Sequence, residues 1–272
     1  MDLEIELNDD EFEILRDMVY EKTGMYFKEN KKYLIKSRLM GRLKELKLNS
    51  YKDYYYRVKY DSKESVEMIN CLTTNETSFF RTMPHITELQ QKILPEFAKK
   101  GAMVRIWSAA CSTGEEPYTI AIIIKELEKK GIRIPVEIIG TDIDEQVLHK
   151  AREGLYTMNS FRGVENGYIQ NYFKKQGQLY AINPEIKNMV KFSKLNLIDS
   201  LKMTTMKNFD VVLCRNVLIY FSQESRKKVI EHLYLSLKKD GYFFLGHSET
   251  LHGVFDGFQV VHVPGAVLYK KG

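Results

Sequence analysis

Cysteine is scarce in this chain of 272 residues: Cys71, Cys111 and Cys214 stand far apart, with no CxxC pair and no histidine-rich neighbour at ligand spacing. Neither a disulfide framework nor a zinc site is suggested, and three reduced thiols are expected. No apolar run approaches the ~20 residues that a membrane span needs, and the acidic opening MDLEIELNDDEF lacks the apolar core of a signal peptide. These absences predict a cytoplasmic protein with no direct membrane insertion. The chain also has no internal repeat, no low-complexity tract and no GxxxxGK[ST] loop, which disfavours an NTPase. Neither charge dominates, with 41 Lys and Arg against 36 Asp and Glu, so the place of the positive charge matters more than its amount.

Within an ordinary globular composition, two patterns follow one another. Residues 1–78 read as a small helical domain. In NDDEFEILRDMVYEKTG, Phe12, Leu15, Met18 and Val19 recur at helical spacing, and Gly24 is a natural stop. In KENKKYLIKSRLMGRLKELKL, an apolar stripe of Leu34, Ile35, Leu39, Leu43 and Leu46 is flanked by Lys31, Lys32, Lys36, Arg38, Arg42, Lys44 and Lys47. This basic surface is either a solvated face or a docking face for an acidic partner. Two shorter helices follow, and Asp61 with Glu64 has capping-box spacing.

After a linker at 79–88, residues 89–272 alternate short apolar runs with helices: MVRIWSAA, a helix from Glu115, PVEIIGTD, a helix from about Asp144, FDVVLCRN, a helix in ESRKKVIEHLYLSLKK, and YFFLGHS. That alternation predicts an α/β fold with a Rossmann-like parallel sheet. FQVVHV and AVLYKK around Pro264-Gly265 predict a closing antiparallel hairpin. Residues 155–195 interrupt the alternation and read as an inserted β subdomain, its hairpin turning near Asn183-Pro184.

Ligands of open α/β sheets bind beyond the carboxyl ends of the strands. Three such ends carry WSAACSTGEE, GTD and CRN. The first resembles a nucleotide loop, yet it has one glycine and is followed by Glu115 and Glu116, a poor setting for pyrophosphate. Asp142 is placed to take two ribose hydroxyls. A nucleoside with positive charge, S-adenosylmethionine, suits this set best. The two glutamates also have a plain reading as helix N-terminal acids worth roughly 0.3–1 kcal/mol each.

Taken in order, TTNETSFFR, WSAACSTGEEPYTIAI, GTDID, FDVVLCRNVLIYF and GYFFLGHSE resemble the chemotaxis receptor methyltransferases, the protein-glutamate O-methyltransferases of bacterial adaptation, over nearly the whole chain. The resemblance implies methyl transfer from S-adenosylmethionine, leaving S-adenosylhomocysteine, to glutamates on the cytoplasmic helices of transmembrane chemoreceptors. It implies a cofactor pocket of Asn75, Thr77, Arg81, Glu115, Asp142, Asn196, Leu197, Asn216 and Val217, with Arg81 and Tyr220 as catalytic residues. No metal and no nucleic acid are implied, and a monomer is expected. In some family members the insert grips a peptide at the receptor C-terminus.

Plainer readings stand beside these. Asn75 and Thr77 also suit the capped or turned end of the helical domain, Tyr220 suits a core position in VLIYF, and Arg81 suits a surface ion pair. His247 and Glu249 in GHSE suit turn contacts better than acid/base work. Rival functions are a module that binds S-adenosylmethionine without catalysis and a nucleic-acid methyltransferase. The second is disfavoured by the small net charge and by the lack of an NPPY-like or DPPY-like motif.

Overall fold

Asn8 starts the first helix with a reciprocal cap. Its side chain accepts the Glu11 N–H at 2.8 Å, and the Glu11 carboxylate accepts the Asn8 N–H at 3.2 Å. Helix α1 (Asp9–Thr23) then runs to Gly24, whose φ of 74° closes it in the left-handed conformation. The computed structural model describes residues 5–272. One compact unit holds the residues up to Thr74 together with Tyr220–Arg226, and a second holds Asn75–Ile219 and Lys227–Gly272.

The helical unit contains α1, α2 (Lys32–Glu45), α3 (Tyr51–Tyr60) and α4 (Ser62–Leu72). Most of the predicted stripes form its core: Phe12, Leu15, Met18, Val19, Ile35, Leu39 and Leu43 are buried and Leu46 packs against them, whereas Leu34 is only half-buried. Asp61 caps α4 by accepting the N–H groups of Lys63 and Glu64. The predicted box is only half formed, because the Glu64 carboxylate turns inward to Arg42 and to the Tyr54 hydroxyl. Tyr220–Arg226, assigned by sequence to the second domain, belongs to this helical unit. The Tyr26 N–H donates to the Tyr220 carbonyl at 2.9 Å, Met25 bridges Phe221, and Tyr220 packs on the helical core. Such pairing across about two hundred residues leaves no local trace in sequence.

The second unit opens with α5 (Met83–Glu88), a π-helical turn at Leu89–Ile93 and α6 (Leu94–Lys100). Then follow β1 (Val104–Ala109), α7 (Glu115–Lys129), β2 (Val136–Asp142) and α8 (Glu145–Glu153). After the insert come β6 (Val190–Lys194), α11 (Ser200–Met203), β7 (Phe209–Cys214), α12 (Gln223–Ser236), β8 (Leu237–Leu245), β9 (Phe258–Val263) and β10 (Ala266–Lys271). The seven-stranded sheet has the order β6-β2-β1-β7-β8-β10-β9. Its first five strands are parallel, and β10 and β9 close it antiparallel as expected. Every residue of β7 is buried, as a strand covered on both faces must be.

The insert departs from the sequence reading. Its sheet contains β3 (Leu155–Tyr156), β4 (Phe173–Gln176) and β5 (Leu179–Ile182), with α9 (Asn166–Tyr172) before β4. The hairpin turns at Gly177, φ 60°, rather than at Asn183-Pro184. Pro184 instead takes the first position of the short helix α10 (Pro184–Lys187), where its missing N–H costs nothing. The run MVKFSK is not part of the insert, since β6 pairs with β2 at the edge of the main sheet.

Candidate functional site

The chain leaves β1, the strand beside which the connection order reverses, through a tightly coiled loop. Ala110 (φ 62°), Ser112 (φ 50°) and Gly114 (φ 90°) are left-handed. At Gly114 a Cβ would also lie 2.9 Å from that of Ala151, so only glycine lets α7 start this close to α8. The coil aims the Ser112 N–H at Asp142, 2.8 Å from Oδ2, while the Ser112 hydroxyl donates to the Asn75 carbonyl at 3.1 Å. The Asn75 amide donates to Asp144 Oδ2 at 2.9 Å.

Asp142 ends β2 with 6% of its surface exposed. It accepts the N–H groups of Ser112 and Asp144, yet burial outweighs these bonds and raises its carboxyl to about 6. Asn196 and Leu197 follow β6 beside it, for the Leu195 N–H donates to the Asp142 carbonyl. Asn196 Oδ1 accepts the Ile198 N–H, and the Leu197 carbonyl accepts from the His232 ring at 2.9 Å. Two adjacent strand ends are thereby assembled into one wall around a buried carboxyl group.

The two glutamates of the loop have different partners. Glu115, 2% exposed, accepts the hydroxyls of Thr113 (2.6 Å) and Ser160 (3.0 Å), and burial raises its carboxyl above the ordinary value. Glu116 accepts the Ser108 hydroxyl at 2.6 Å and pairs with Arg215 at 2.8 Å. Arg215, whose side chain is almost wholly buried, also donates to the Arg81 carbonyl at 2.8 Å. Sequence reasoning placed Arg215 at the rim but gave it no role. An ion pair spanning 99 residues is invisible until the strands are aligned.

Arg81 lies between two left-handed residues, Phe80 (φ 55°) and Thr82 (φ 63°), and its guanidinium donates to the Glu76 carbonyl at 2.9 Å. Non-glycine residues in this conformation cost on the order of 1–3 kcal/mol each and mark places where the surrounding structure dictates the backbone. Asn216 (φ 60°) is another, at the end of β7 and followed by half-buried Val217. Thr77 is half-buried in the same unit, between Asn75 and Arg81. Tyr220 lies in the helical unit, so the second unit itself supplies nine of the ten expected residues. Glu249, from GHSE, goes beyond the expected turn contacts: it accepts the nearby Gly246 N–H and also the backbone N–H groups of Asn216 and Leu218, past the end of β7.

This donor set fits a cationic nucleoside. Carboxyl groups and neutral polar groups line the loop, which carries no lysine, while Asp142 stands where a ribose diol is taken. Comparison with known proteins agrees. Residues 75–267 match the family described as CheR methyltransferase, SAM binding domain, and residues 10–73 match its all-alpha domain. Chemotaxis protein methyltransferase 2 of Vibrio cholerae is 35% identical over 98% of this chain and 95% of its own length. A chemotaxis protein methyltransferase of Borreliella burgdorferi is 38% identical over 92% of each chain, and chemotaxis protein methyltransferase 1 of Pseudomonas aeruginosa is 36% identical over 96% of this chain and 97% of its own. With both domains matched in order, the chain belongs to the CheR methyltransferase family and uses S-adenosylmethionine.

Proposed function

We propose that this protein transfers methyl groups to glutamate side chains on the cytoplasmic helices of chemoreceptors, forming glutamate methyl esters. The observation that carries the reading is the loop WSAACSTGEE coiled onto buried Asp142, within a chain similar over nearly its whole length to chemotaxis protein methyltransferases. When bound, S-adenosylmethionine supplies a methyl group made electrophilic by its sulfonium.

The protein's own residues have the task of placement. A glutamate acceptor with pKa about 4.3 is ionised at neutral pH, so no residue need remove a proton. Positioning can supply up to ~7–11 kcal/mol of such a barrier. Asp142 takes the ribose hydroxyls, Asn196 and Leu197 border the adenine, and Glu115, Asn216 and Val217 border the methionine end. Asn75 and Thr77 complete the wall from the segment before α5. Arg81 orients a carboxylate, with its backbone fixed by Arg215 and by the strained residues on either side.

The test is incubation with methyl-labelled S-adenosylmethionine and receptor-containing membranes, followed by alkali and capture of volatile methanol. Carboxyl methyl esters release it and N-methyl groups do not. Receptor-dependent volatile label is expected, and its absence with a cofactor-bound protein rejects this acceptor. Arg81→Ala is expected to lower turnover at least a hundredfold while the fold persists, and near-normal methylation by the folded variant would remove Arg81 from the mechanism. Tyr220→Phe, which deletes only a hydroxyl, is expected to lower kcat with S-adenosylhomocysteine affinity unchanged.

A further inference from the structure

Glu249 sits beyond the end of β8, half-buried, and spends its carboxylate on backbone groups of two different strand ends. Oε2 accepts the Asn216 N–H at 2.7 Å and the Gly246 N–H at 2.7 Å, while Oε1 accepts the Leu218 N–H at 2.8 Å. Asn216 and Leu218 lie just past β7, and Gly246 just past β8, so one side chain ties the two ends together. The Asn216 backbone is left-handed, with a φ of 60°, a conformation that asparagine adopts more readily than other residues with a Cβ, and the carboxylate holds it there.

Gly246 reports the same junction independently. A Cβ there would lie 2.6 Å from Glu249 Oε2, 2.8 Å from the Asn216 nitrogen and 2.8 Å from Asn216 Nδ2. The position has an ordinary φ, so its glycine answers the close approach rather than a special backbone conformation. Carboxylate and glycine thus serve one purpose, holding the backbone of Asn216 and Val217 in one fixed shape.

We infer that Glu249 is a positioning residue for the methyl-transfer site: it acts through the backbone of Asn216–Leu218 and holds Asn216 and Val217 against the methionine end of the cofactor. This rests on the cofactor contacts assigned to Asn216 and Val217 above and is independent of which acceptor is methylated. A carboxylate suits the task, since it is an acceptor only and can take three N–H groups at once. Glutamine in the same place turns an NH2 group toward N–H donors and must release at least one of them.

The test uses the full-length protein and S-adenosylhomocysteine as probe, read by calorimetric titration together with hydrogen exchange at assigned amides. Glu249→Gln is expected to speed exchange at Asn216 and Leu218 by at least tenfold, leave β1 and β2 amides unchanged, and weaken S-adenosylhomocysteine binding about tenfold, which is about 1.4 kcal/mol. Gly246→Ala strains the junction from its other side and is expected to give the same pattern, which keeps the test open should Glu249→Gln not fold. A merely structural role lowers the melting temperature and leaves the affinity of the folded variant alone. Affinity within twofold of wild type in a folded variant overturns the proposal, whether or not the two amides exchange faster. Because the readout is cofactor binding, an error in the proposed acceptor cannot produce that result.

Discussion

At the residue scale, Asp142 makes the most direct forecast. Burial raises its carboxyl from the ordinary 3.8 to about 6, so the folded protein binds this proton more tightly than the unfolded chain does. The sign follows: the cost of charging it is absent below about 3.8 and fully present above about 6, so this group favours the fold on the acid side. Under the proposed role of Asp142, cofactor binding has the opposite sense, because ribose hydroxyls donating to the carboxylate would lower its pKa in the complex. The dissociation constant of S-adenosylhomocysteine is therefore expected to rise as pH falls through 6, by at most about tenfold per unit. Asp142→Asn binds more weakly with a flatter profile between pH 5 and 8, and an equally steep profile in that variant would show that another group titrates. Asp142 was legible in sequence as an acid at a strand end. The Glu116–Arg215–Arg81 chain was not, because each member is an ordinary charged residue until β1 and β7 are neighbours.

At the element scale, α2 shows how a charge pattern misleads when its partners are distant. Its basic face reads as a docking surface for an acidic receptor helix, but much of the charge is already answered within the helical unit. Arg42 pairs with Glu64 and Glu45, Arg38 donates to the Leu72 carbonyl, Lys32 pairs with Asp9, and Lys36 pairs with Glu6. The Glu64 side chain is 5% exposed, so its pairing with Arg42 is structural, and breaking such a pair from one side costs about 3–5 kcal/mol. Arg42→Glu is therefore expected to lower the melting temperature of the helical unit, and any loss of methylation follows from that. Exposed Lys31 and Lys47 test docking more cleanly. Charge reversal at both is expected to slow receptor methylation severalfold at low salt and little at high salt, with stability nearly unchanged. A rate independent of these two charges would exclude steering by the two lysines that flank this helix. The apolar periods of α1 and α2 were legible because burial repeats every turn, whereas the hairpin of the insert was misplaced because a glycine at 177 and a proline at 184 both advertise turns. Only the pairing of β4 with β5 selects between them.

At the scale of the whole molecule, the chain crosses between its two units three times, at residues 74–75, 219–220 and 226–227. The middle excursion carries Tyr220 into the helical unit, while the expected cofactor residues stay in the sheet unit. If Tyr220 has the proposed role, methyl transfer needs the helical unit as well as the sheet unit, whereas cofactor binding draws on the sheet unit, and heat should separate the two. Leu15, wholly buried in the helical core, is the place to weaken one unit alone, since Leu→Ala in a core costs about 2–5 kcal/mol. In Leu15→Ala, methyl transfer is expected to fail at a temperature where S-adenosylhomocysteine still binds. In scanning calorimetry, S-adenosylhomocysteine at a hundred times its dissociation constant adds about 2.7 kcal/mol to the unit that holds it. The later transition, from the sheet unit, should move up and the earlier one should stay. A single transition that moves as one, with binding and turnover lost together, would show that the two units melt as one cooperative body.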